Sequence, residues 1–60
     1  MGYEGNKVNG VKVVNILEES AEAIEKMVNT VIKDIYSKDQ IILDIQTTGD
    51  NIIIILGQKN

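Results

Sequence analysis

Residues 51–58 read NIIIILGQ, with five consecutive aliphatic side chains at 52–56. A strand sends alternate side chains to opposite faces, so this run demands apolar cover on both sides of whatever sheet contains it. The rest of the chain offers one helical pattern, and one helix covers one face. That mismatch shapes every other expectation.

Sixty residues make one small domain, and a domain of this size buries only about 60% of the surface its unfolded chain exposes. Chains this short borrow stability from disulfides, metals or assembly. With no Cys and no His, assembly is the route left open.

The strand-rich segment VKVVNIL (11–17) places Val11, Val13, Asn15 and Leu17 on one face and Lys12, Val14 and Ile16 on the other. Ser20 then precedes an apolar series at helical spacing. Ile24, Met27, Val28, Val31, Ile32 and Ile35 fall within an arc of roughly 140°. Glu22, Glu25, Lys26, Asn29 and Lys33 take the opposite side, with Glu22 and Lys26 at i,i+4 spacing. The pattern fades at YSKDQ (36–40). QIILDIQTT (40–48) alternates, with Ile41, Leu43 and Ile45 on one face and Ile42, Asp44 and Gln46 on the other. Gly49, Asp50 and Asn51 tolerate positive φ and mark a hairpin turn before the isoleucine run. Residues 1–10, with three glycines and the turn-like pair Asn9-Gly10, read as a flexible lead-in; 58–60 read as a polar tail.

The expected fold is therefore α+β, a single β-α-β-β domain over residues 11–57. The hairpin makes the last two strands antiparallel neighbours, and a right-handed crossover returns the first pair parallel. The sheet order is then 2-3-1, with the most apolar strand central and one helix on one face. The helix is expected over Ile41, Leu43 and Ile45. Ile42, Ile53, Ile55, Val14 and Ile16 are left on the bare face, more apolar surface than a monomer usually exposes. The expectation is a homodimer with these five residues at its interface, formed by sheet faces packing together or by edge strands pairing.

Composition narrows function. The charge is −3, and all six basic residues are lysines without Arg, scattered along the chain; Tyr3 and Tyr36 are the only aromatic residues. Direct nucleic-acid binding needs clustered cations and stacking platforms, and is not expected. Without His and Cys the usual nucleophile–base pairs and zinc sites are lacking, so no catalytic residue, metal or cofactor is expected. The carboxylate pairs Glu18/Glu22 and Asp44/Asp50 read better as helix-start and edge electrostatics than as acid–base couples. TTGDN (47–51) lacks the spacing and following helix of a phosphate loop. No apolar run approaches the roughly 20 residues of a membrane span, and 1–10 does not resemble a secretory signal, so a cytoplasmic protein is expected.

The β-α-β-β plan carried by VKVVNILEES, IEKMVNTVIKDI and IILDIQTTGDNIIIIL, spanning 11–56, resembles two groups of very small proteins from low-GC bacteria and their phages. One is a sporulation-associated family of bacilli, similar in its opening strand, acidic helix start and ILDIQ-like second strand. The other is the phage anti-defence proteins that block the Hachiman system, similar in being tiny and homodimeric. Residues 1–10 fit neither. The second resemblance implies a non-enzymatic homodimer that binds and inhibits a host defence protein in the host cytoplasm. Candidate contacts are Glu22, Glu25, Lys26, Asn29 and Lys33 on the helix, with Asp50 and Asn51 at the hairpin. The alternatives are a structural or regulatory sporulation module and a protein that sequesters a nucleotide signal.

Overall fold

The computed structural model describes residues 7–58. Its elements are β1 (Val8–Asn15), α1 (Ala21–Ser37), β2 (Gln40–Thr47) and β3 (Asn51–Gln58). The three strands form one sheet in the order β1-β3-β2, antiparallel at both junctions, as the hairpin and crossover rules require. β3 is central. The sheet reaches further at both ends than the sequence pattern suggests. Val8, Asn9 and Gly10 belong to β1 rather than to a lead-in or turn, and a register shift between Val8 and Gly10 takes up Asn9. Asn9 Nδ2 donates to Gln58 Oε1 at 2.9 Å, tying together two residues assigned from sequence to the unstructured ends. Positions 1–6 of the expected lead-in and 59–60 of the tail lie outside the described residues.

α1 starts where Ser20, in extended conformation, accepts the Ala23 backbone N–H on its Oγ at 3.1 Å. It stops at Lys38, beyond which Asp39 adopts φ 58°, a left-handed position usually filled by glycine and tolerated by aspartate. The Lys38 and Asp39 N–H groups donate to the Ile35 and Tyr36 carbonyls. Ile35 lies at the middle of the apolar arc and is the helix residue that becomes fully buried. It meets Ile54 and Leu56 of β3, with Val31, Ile42 and Ile52 packed around them.

The register sorts every strand residue to a face. Ile52, Ile54 and Leu56 face α1, and so do their cross-strand partners Val14, Lys12 and Gly10 on β1 and Thr47, Ile45 and Ile42 on β2. Ile53 and Ile55 look the other way, with Val13, Val11, Gln46 and Asp44 opposite them. A bulge between Ile42 and Asp44 inserts Leu43 as an extra residue, which reverses the alternation midway along β2. Ile42 and Ile45 therefore face the helix, while Ile41 and Leu43 serve the open side. Two residues expected from sequence at the interface lie instead on the helix side, Ile42 through the bulge and Val14 through its pairing with Ile52. Ile42 packs on the core, and Val14, only 6% exposed, is buried on the helix side.

The connections use local chemistry. The turn from Ile16 to Glu19 is closed by the Glu19 N–H to the Ile16 carbonyl, with Glu18 at φ 61°. In the hairpin, Asp50 and Asn51 do not take positive φ. The turn is instead held by Thr48, whose Oγ1 accepts from the Asp50 and Asn51 N–H groups at 3.3 and 3.0 Å.

Candidate functional site

Three surfaces could carry function: the open sheet face, the outward face of α1 and a groove between α1 and β1. The open face has an apolar centre built from three strands. Val11 and Val13 are 55% and 56% exposed, and beside them lie the half-buried Ile53, Ile55, Ile41 and Leu43. Polar groups edge it. Asn15 Nδ2 donates to Asn51 Oδ1 at 3.1 Å at one end of the β1–β3 pairing, and Gln46 Nε2 donates to Asp44 Oδ2 at 3.3 Å on β2. An apolar centre inside a polar rim is the common anatomy of a protein interface.

Of the five residues expected here from sequence, Ile53 and Ile55 lie on this face. Val14 and Ile42 do not, and Ile16 is half-buried beyond the end of β1, its N–H donating to the Asp50 carbonyl at 2.7 Å. Val11, Val13, Ile41 and Leu43 take their places. For β1 the signal was ambiguous. Lys12 invites assignment to solvent, carrying Val14 and Ile16 with it, whereas Lys12 pairs with Ile54 and stands on the helix side.

Both free sheet edges carry features that discourage strand addition. β2 is bent by its bulge, and Asp44 Oδ1 accepts the N–H of Ile45 at 2.9 Å, occupying a backbone donor with the strand's own side chain. β1 carries Lys12 directed to the helix side at mid-strand, a charge that a continuous sheet would have to accommodate.

Glu22, Glu25, Lys26, Asn29 and Lys33 are all exposed on α1, and Asp50 is exposed at the hairpin. Asn51 is half-buried and engaged by Asn15, which places it in the sheet rather than at a binding tip. The Glu22–Lys26 pair expected on the helix does not form. Among the described residues the one ion pair is Lys38 Nζ with Asp34 Oδ2, at 3.2 Å. Lys26 instead lines the groove, together with Lys12, Val14, Met27, Thr30 and Val31.

Among the described residues no group of three or more His, Cys, Asp or Glu converges to hold a metal. Asp44 and Asp50 do not act as a pair: Asp44 sits opposite Ile55 and Asp50 adjoins Asn51, so about 13 Å of strand separates the two positions. No described helix is long and apolar enough to cross a membrane. Comparison of the chain with protein-family models, curated proteins and solved structures found no match.

Proposed function

We propose that this chain is a non-enzymatic binding protein that works as a homodimer, and that its outward helix face binds and inhibits a component of bacterial anti-phage defence. The observation that carries the dimer is the open sheet face, with Val11 and Val13 more than half exposed beside Ile53 and Ile55. Each such side chain contributes about 1.5–3 kcal/mol when moved from full exposure to full burial, a large quantity for a chain this small. Face-to-face packing is the geometry favoured, because both sheet edges are blunted.

The inhibitory role is supported by the resemblance of residues 11–56 to the phage proteins that block the Hachiman system. A dimer closed through its sheets leaves both helices outward, each presenting Glu22, Glu25, Asn29 and Lys33 to a partner. Sedimentation at micromolar concentration should return twice the chain mass. Expression in cells carrying the defence system should restore phage plating, and the purified dimer should co-elute with its target. Unchanged plating together with a gene neighbourhood of sporulation functions would replace the inhibitory role with the sporulation module.

A further inference from the structure

We propose that the groove between α1 and β1 binds a small amphiphilic anion, an aliphatic body bearing a carboxylate or phosphate head that Lys12 and Lys26 hold. α1 packs mainly against β2 and leaves a shallow, open groove of about 560 Å³ along β1. Its apolar lining is aliphatic: Val13 and Val14 of β1 with Met27 and Val31 of α1. Among the described residues no aromatic ring lines it to stack a base, so an alkyl chain suits it better than a nucleoside.

The polar groups of the lining divide into two kinds. Asn15 is engaged, donating to Asn51 and accepting the Leu17 N–H on Oδ1, and Thr30 Oγ1 donates to the Lys26 carbonyl at 2.9 Å. Lys12 and Lys26 have no ion-pair partner among the described residues. On a chain with nine acidic and six basic residues, two lysines share this groove and no carboxylate of a described residue lines it. The groove is a local cationic site on an acidic molecule, and an anionic head is the complement it selects. This inference does not rest on the dimer or on inhibition, because the groove opens on the helix side of the sheet.

The test is a titration of the ¹⁵N-labelled full chain, followed by amide shifts, with decyl phosphate and decanoate below their micelle-forming concentrations. Decanol, inorganic phosphate and AMP are the comparison probes. Saturable shifts at Val14, Met27, Thr30 and Val31 are expected with both alkyl anions. Lys12→Gln and Lys26→Gln should each weaken decyl phosphate about fivefold, as for a partly exposed ion pair, while Lys33→Gln leaves affinity unchanged. Decanol binding as tightly as decyl phosphate would overturn the role of the lysines. AMP binding where the alkyl anions do not would overturn the aliphatic assignment, and shifts centred on Val11, Ile53 and Ile55 would overturn the site.

Discussion

The side chain of Leu43 occupies the space that a side chain at Gly57 would need. A Cβ placed on Gly57 would lie 2.9 Å from Leu43 Cδ1, 3.1 Å from Cγ and 3.2 Å from Cδ2. The bulge is what brings Leu43 there, over the end of β3 on the open face. Gly57 does not take positive φ, so the requirement for glycine is steric rather than conformational. Gly57→Ala should destabilise the protein by about 1–2 kcal/mol through overpacking. In a Leu43→Ala background the same substitution should be neutral or stabilising. A four-way denaturation cycle measures the coupling, and additive effects would refute the contact.

Ile54 is 0% exposed at the centre of the sheet, and Ile35 is 1% exposed above it. Few other described residues are buried, so loss of one methyl group should register clearly. Ile54→Val and Ile35→Val should each cost about 1 kcal/mol, and Ile54→Ala about 3 kcal/mol or more, enough to leave a chain this small largely unfolded. Ile45→Ala, at a helix-side position on the edge strand that is 48% exposed, should cost well under that. Urea melts followed by circular dichroism would rank the four.

Much of this architecture is legible in the residues themselves. The position of Ile35 at the centre of the apolar arc foretells its burial, Ser20 marks the helix start, and the unbroken run at 52–56 marks the central strand. The faces of β2 are not legible, because alternation carries no record of a bulge. One inserted residue reverses the faces beyond it, and IILDI is apolar enough to satisfy either arrangement. Which face of β1 meets the helix is not legible either, because a lysine side chain can reach solvent from either side of an edge strand and Lys12 does not report its face. The hairpin turn was assigned to positive-φ residues, yet the left-handed positions fall on Glu18 and Asp39.

Glu18 gives a direct test of that last point. A glutamate at φ 61° bears a steric penalty that glycine escapes, about 1 kcal/mol, while glycine gains freedom in the unfolded chain. Glu18→Gly should therefore be neutral or modestly stabilising, whereas Glu19→Gly, next to it and without positive φ, should destabilise. Thermal melts of both variants at matched concentration decide the matter, and a clear loss of stability in Glu18→Gly would contradict the turn geometry.

Val13 and Val14 are neighbours with opposite fates, 56% and 6% exposed, and this contrast separates folding from assembly. Val14→Asp puts a charge among the residues between sheet and helix and should unfold the chain. Val13→Asp places its charge on the open face. If two sheets pack together there, the variant should sediment at the mass of a single chain while keeping its helical and sheet signal at low temperature. Its melting temperature should no longer rise with protein concentration, as that of the wild type should, because association no longer contributes to stability. Ile53→Asp tests the same face from the central strand and should be harsher, since Ile53 is already half-buried in the protomer. A Val13→Asp protein that still sediments as a dimer would remove the sheet face from the interface.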